Sequence, residues 1–280
     1  MSAFAYNGDD AVVGAVREDI RQTLRTAWVD PAYEAVAAYP AFFAAAWSAI
    51  RPNVGKTFLT LARTLRGEAA EACRSLVNGA DLRNRLGADL SEEELRRVED
   101  VSRAAHMAAA KTEIVVHALF RAARRERLGG TGREEAPIRR GIPDWQRWMA
   151  AQPVSSTVQG ILDRSAEVLG GHAPPTVLRV FARWPIAVAA LWDELQQAST
   201  AQGWASGAKL LRRGVLGGLA GLPHPIQLQW TALRERGFTE PDRLELVEVL
   251  GAADAAMPVQ TLASAFTWVS LGAPEIGAEG

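Results

Sequence analysis

Apolar side chains return every three or four residues along most of this chain, the spacing that collects them on one face of a helix. In the stretch 58–76 the apolar set is Leu59, Ala62, Leu65 and Ala69. The same pattern predicts a helix over 19–28, stopped by Asp30-Pro31, and one near 156–169. A long alanine-rich helix is expected from about 92 to 125, opened by the capping box that Ser91 and Glu94 form. A glycine-rich helix is expected around 209–222, and a last pair follows the turn at Pro223-His224-Pro225, with Thr239-Glu240-Pro241-Asp242 as a second capped start. No alternating β-branched run of strand length occurs, so the fold is predicted to be all-α.

One pattern is written twice. An aromatic residue precedes a proline, and a tryptophan follows that proline by seven residues, at Tyr39-Pro40…Trp47 and again at Trp184-Pro185…Trp192. The prolines and the tryptophans are each 145 apart (185 − 40 and 192 − 47), and the two capped starts, Ser91 and Thr239, are 148 apart. Proline at a first helical position loses no hydrogen bond and forces the residue before it out of the helical region. Each copy therefore reads as a helix that ends, bends and restarts, burying Phe43 with Trp47 or Val188 with Trp192. The spacing predicts two homologous helical repeats forming a pseudo-two-fold intramolecular dimer with a pocket between them. The first repeat is expected over 1–128, a charged, glycine- and proline-bearing linker over 129–144, and the second repeat over 145–280.

Composition narrows the function classes. Apolar residues make up 48% and charged residues 22%, a balance that fills a core in a soluble globular protein. The formal net charge of −1 leaves no electrostatic footprint for nucleic acid. Cys73 is the only cysteine, which excludes an intrachain disulfide or a thiolate zinc site. Residues 1–10 lack a basic segment followed by an apolar run, and the charge-free stretch 214–233 is interrupted by prolines, so neither a leader nor a membrane span is read there. A cytoplasmic protein is expected. The Gly55-Lys56-Thr57 triplet lacks the upstream glycine of a phosphate loop, because Ile50 stands there.

Candidate chemistry comes from titratable residues in apolar surroundings. His106 and Asp254 each lie in an alanine stretch and are 148 apart (254 − 106), the same separation as the capped starts. If their helices face each other, they would form an imidazole base and its orienting carboxylate; the alternative is a structural pair or two solvated residues. His117, on the same helix, reads as packing against the linker, and His224 as an exposed turn residue. Trp145 and Trp148 read as core cover or a dimer patch. Four histidines without carboxylates at ligand spacing predict no metal.

Taken together, residues 20–29, Tyr39-Pro40, Ala46-Trp47, 156–162 and Ala182-Arg183-Trp184-Pro185 give the chain a resemblance to the group I 2-haloacid dehalogenase family (DehI type), from about residue 19 to residue 271. The resemblance implies an all-helical pseudo-dimer related to the alkylhydroperoxidase-D-like superfamily. It also implies hydrolytic displacement of halide from a short 2-halocarboxylic acid, by a water that an aspartate activates, with no covalent ester and no cofactor. Trp28 falls on the family's pocket tryptophan. The family's Ser-Asp pair falls on Thr176-Val177, so Thr176 keeps the hydroxyl and Val177 stands where the resemblance places the base. Pro31 stands where the family has a second pocket aromatic.

Subtracting 145 from Val177 gives Ala32, so Asp30 lies near the mirror position of the missing aspartate. Asp30 reads either as a relocated base or as the cap of a turn before Pro31. The candidate catalytic residues are thus His106, Asp254 and Asp30, and the candidate substrate contacts are Trp28, Tyr33, Thr176 and Trp184. The expected function is a cofactor-independent enzyme using acid–base chemistry on a small carboxylic-acid-type substrate between the repeats. The alternative is a non-catalytic ligand-binding paralogue. The expected partner is a small molecule, with no nucleic acid or membrane, and a homodimer is compatible with the sequence.

Overall fold

The computed structural model describes residues 9–77, 82–133, 135, 138, 141–143, 154–170 and 173–272. Trp145 and Trp148 lie outside them. The first half contains α1 (Asp9–Leu24), a 3-10 turn (Pro31–Tyr33), α2 (Glu34–Ala37), α3 (Pro40–Ile50), α4 (Lys56–Arg74), α5 (Leu82–Gly87) and α6 (Glu92–Ala123). The second contains α7 (Ser156–Val168), α8 (Thr176–Val180), α9 (Pro185–Ser199), α10 (Gln202–Leu219), α11 (Trp230–Glu235) and α12 (Glu240–Ser270). The described residues form no strand, only an isolated bridge between Leu128 and Ile226. The chain is all-helical, as its apolar spacing predicted.

Local chemistry sets the helix limits. Tyr39 (φ −125°, ψ 70°) and Trp184 (φ −122°, ψ 84°) take nearly the same bent conformation, and each hands over to a proline at the first position of the next helix. Phe43, Trp47, Val188 and Trp192 all enter the core, and the Trp47 indole N–H donates to Asp19 Oδ2 at 2.7 Å. Ser91 and Thr239 both build full capping boxes, with Glu94 and Asp242 respectively. Arg25 (φ 55°) and Arg125 (φ 63°) adopt the left-handed conformation that ends a helix. α1 therefore stops before Trp28, which lies in the loop after it instead of at the end of the expected helix.

Two antiparallel helix pairs form the centre. Along α6 and α12 the partner numbers fall as the residue number rises: the rings of His106 and Trp268 are 6.2 Å apart, Thr261 donates to Glu113 at 2.6 Å, and His117 meets Asp254 at 2.5 Å. Along α4 and α10 the contact is set by glycines. A Cβ on Gly203, Gly207, Gly214 or Gly218 would lie 3.0, 3.0, 2.9 or 2.3 Å from side-chain atoms of Leu76, Ala72, Leu65 and Leu61, so these axes approach more closely than alanine would allow. α12 also packs on α4 and α10, which joins the two pairs.

By length and mean hydropathy (1.2) α12 resembles a membrane-crossing helix, but here its apolar residues line the shared core with α6. The described part of the 129–144 segment is held against the body. Gly130 N–H donates to Leu222 O at 2.9 Å, and Thr57 N–H donates to the Glu135 carboxylate at 3.0 Å.

Candidate active site

A cavity of about 340 Å³, at the small end of ligand pockets, opens where three segments meet. The 3-10 turn and α2 contribute Asp30, Pro31, Ala32 and Ala35; the turn into α8 contributes Ala173, Pro174 and Thr176; α12 contributes the face from Glu248 to Gln260. Both halves of the chain thus supply wall. Ala252, Ala253 and Ala256 have the small side chains that leave room for it, and Met257 and Val249 keep the wall apolar.

Asp30 is one of two acidic groups in its wall, with Glu248. The Asp30 carboxylate caps the 3-10 turn by accepting the Ala32 N–H on Oδ1 at 2.9 Å. The other oxygen, Oδ2, accepts the Thr176 hydroxyl at 2.9 Å. Burial raises the Asp30 pKa; the Ala32 amide, the Thr176 hydroxyl and the positive charge of Arg179 oppose that rise. Thr176 is itself held by its backbone, whose N–H donates to Gln260 Oε1 of α12 at 2.9 Å. The result is a carboxylate fixed on both oxygens by short contacts, beside a mostly apolar chamber. That is the setting of a carboxylate base made stronger than usual.

The other expected site residues are placed differently. Val177 is fully buried in the core and lines no part of the cavity. Tyr33 is also buried and lines no part of the cavity; burial and the Asp30 charge push its pKa up and an interaction with Thr112 opposes them. Trp28 and Trp184 do not line this cavity. The Trp28 indole N–H is buried without a hydrogen-bond partner, and Trp184 packs edge-on against Phe181.

His106 and Asp254 are not brought together. His106 stacks on Trp268, and burial with the nearby Arg66 charge lowers its pKa to about 3. Asp254 pairs with His117 Nδ1 at 2.5 Å and Arg212 at 3.0 Å. The physical reason is antiparallel packing: residues related by the repeat offset lie opposite one another only near the middle of the pair, where Glu113 meets Thr261, and diverge towards the ends. His117, expected against the linker, is instead a core residue with 2% exposure.

At 100° per residue Asp254 falls on the side of α12 away from the cavity-lining positions. It belongs to a polar cluster with the buried Glu113 and His117 and the partly exposed Arg212. Burial raises the pKa of Glu113 to about 7, Thr261 opposes that rise, and the Asp254 charge adds to it. His224 is exposed, as expected, and its N–H donates to Asn53 Oδ1 at 2.8 Å. Sequence reasoning missed Glu248, Met257 and Gln260. The available signal was the set of alanines at 252, 253 and 256, whose common face makes room for a ligand as well as for a neighbouring helix.

No family model matches the chain. A curated 2-haloacid dehalogenase described as configuration-inverting, from Alcaligenes xylosoxydans xylosoxydans, is 29% identical over 189 residues, which cover 64% of this chain and 62% of that protein. The chain is a homologue of a 2-haloacid dehalogenase. Structural neighbours agree on the fold. A D-2-haloacid dehalogenase mutant in complex with D-2-CPA superposes with a TM-score of 0.81 at 18% identity, over 92% of this chain and 91% of that one. The same kind of enzyme with L-LA gives 0.80 at 17% identity, over 92% of each chain. The helical architecture is therefore that of the D-2-haloacid dehalogenases, and the aligned sequence spans less than two thirds of the curated relative.

Proposed function

We propose that this protein is a cofactor-independent hydrolase in which Asp30 activates water to displace halide from a small carboxylic-acid-type substrate held in the Asp30–Thr176 cavity. The single observation that carries the reading is Asp30 itself: a carboxylate whose pKa is raised by burial, fixed by Ala32 and Thr176, facing a chamber sized for a small molecule. Homology to a configuration-inverting dehalogenase supplies the reaction class.

The step is a direct substitution. Water bound at Asp30 attacks the α-carbon, its oxygen forms the new C–O bond, and the carbon–halogen bond breaks with its electron pair leaving as halide. The proton passes to Asp30. Thr176 keeps one carboxylate oxygen oriented, so the other side of the group is presented to the water.

The proposal includes duplication of the chain. Support comes from helices in the same order in both halves, matching bends at Tyr39 and Trp184 and matching capping boxes at Ser91 and Thr239; a two-fold arrangement of the halves would set the cavity between them. A second reading, a ligand-binding paralogue without turnover, is favoured by Val177, which is buried where the resemblance places the base.

Single-turnover reaction in ¹⁸O-labelled water, with halide release followed in parallel, separates these. Halide release with label in the first-turnover product is the expected result. Label appearing first in the protein would replace direct attack by a covalent ester, and binding without halide would leave the paralogue reading.

A further inference from the structure

One polar side chain of the cavity wall has no part in the reaction proposed above, and its orientation is fixed by its neighbour. Gln260 of α12 lines the cavity together with Asp30 and Thr176. The Thr176 backbone N–H can only donate, and it meets the Gln260 side chain at 2.9 Å, so the end of the amide that faces α8 is the carbonyl oxygen Oε1. The NH₂ of Gln260 is thereby turned away from Thr176, as a pair of donors in the cavity wall. Thr176 in turn gives its hydroxyl to Asp30 Oδ2 at 2.9 Å. Gln260, Thr176 and Asp30 thus form one hydrogen-bonded series, drawn from α12, α8 and the cap of the 3-10 turn.

A 2-halocarboxylate places two demands on such a wall. Its carboxylate needs N–H donors to replace the water it loses, and the α-carbon next to it has to face the water held by the base. Asp30 and the exposed Glu248 repel the substrate carboxylate, whereas the Gln260 NH₂ attracts it. A single residue, Thr176, separates Gln260 from Asp30 in the series, so a short acid held at Gln260 brings its α-carbon towards Asp30. A neutral amide also suits the chemistry better than a cation would. A positive charge in contact with the site would lower the Asp30 pKa and weaken the base, and the Gln260 amide carries none. Resting on the Asp30 reading, we infer that Gln260 binds the substrate carboxylate through its side-chain NH₂.

The test separates this role from the support that Gln260 gives to Thr176. Gln260→Leu removes both the acceptor and the donor. Gln260→Glu restores an oxygen for the Thr176 N–H and puts a negative charge where the NH₂ stood. The full chain and both variants are compared at about pH 8, where a glutamate of ordinary pKa is ionised. Calorimetry follows binding of each enantiomer of lactate, halide release follows turnover of each enantiomer of 2-chloropropionate, and melting temperature checks folding. The expected result is a loss of lactate affinity and a rise in KM of about tenfold or more in both variants, with kcat of Gln260→Glu within about threefold of wild type. Wild-type affinity in Gln260→Glu beside weak binding in Gln260→Leu would show that Gln260 serves Thr176 alone, and overturns the inference, as does a wild type that binds no lactate. Lactate binding that Gln260→Glu removes, in a wild type that releases no halide, upholds Gln260 and removes the Asp30 step; halide release by wild type with undiminished affinity in Gln260→Glu does the reverse. If Gln260→Leu does not fold, Gln260→Glu decides by itself.

Discussion

The Thr176 hydroxyl donates to Asp30 Oδ2 at 2.9 Å, joining residues 146 apart in sequence across the mouth of two short helices. This bond favours the ionised carboxylate and opposes the effect of burial. Thr176→Val keeps the side-chain shape and removes the donor. It should lower kcat roughly tenfold, the order expected when a base is no longer held in place. It should also move the acid limb of the pH–rate profile to higher pH, because the Asp30 pKa rises further. A profile unchanged in position would detach Thr176 from the reacting carboxylate.

Glu113 gives a pH signature of stability. Its folded pKa is raised to about 7 from the ordinary 4.5 of a glutamate, so the folded state holds a proton that the unfolded state releases between those values. The stabilisation from this group is complete below about pH 4.5 and is lost as pH rises towards 7. Glu113→Gln should remove that loss, making the variant more stable than wild type at pH 8 by roughly 3 kcal/mol and of similar stability at pH 4. Urea unfolding at the two pH values measures it.

His106 carries the opposite sign. Its pKa is lowered to about 3 from 6.5, so the unfolded state takes up a proton first and stability falls as pH drops below 6.5. His106→Phe should flatten that acid slope and, if Asp30 is the base, leave the ligand preferences of the cavity intact. Loss of turnover without loss of stability would return His106 to the catalytic site.

Asp254 is expected to be structural. Asp254→Ala leaves the buried His117 without its partner and frees the partly exposed Arg212, and should cost about 1–3 kcal/mol. Lactate binding, measured at a temperature where the variant is folded, should persist, since Asp254 faces away from the cavity.

The α4–α10 contact predicts a compensating pair. A methyl on Gly218 would lie 2.3 Å from Leu61 Cδ1, so Gly218→Ala should lower stability by about 1–3 kcal/mol through overpacking. Adding Leu61→Ala should recover part of the loss, and additive losses in a double-mutant cycle would contradict the packing described.

Much of the helical fold was legible because its signals are local. Proline after Tyr39 or Trp184 dictates a bend, and Ser91 or Thr239 three residues before an acid dictates a helix start, whatever surrounds them. The site was legible only where local and long-range signals coincided. Asp30 was found through the 145-residue offset, and its capping role and its place beside Thr176 turn out to be the same geometry. The His106–Asp254 pair failed because an offset says which residues are equivalent, whereas contact depends on helix direction. Glu248 and Gln260 carry no sequence mark of their own; they become site residues only when α12 crosses the turn into α8.

The measurement that tests the central claim most directly is halide release by Asp30→Asn beside wild type, on both enantiomers of 2-chloropropionate, with melting temperature and lactate affinity recorded for both proteins. Asparagine retains the shape and an oxygen able to accept the Ala32 N–H, but is no base. The account predicts a fall of about 10²- to 10⁴-fold in kcat with folding and binding retained. A variant that releases halide within about threefold of the wild-type rate would contradict it and place the base elsewhere.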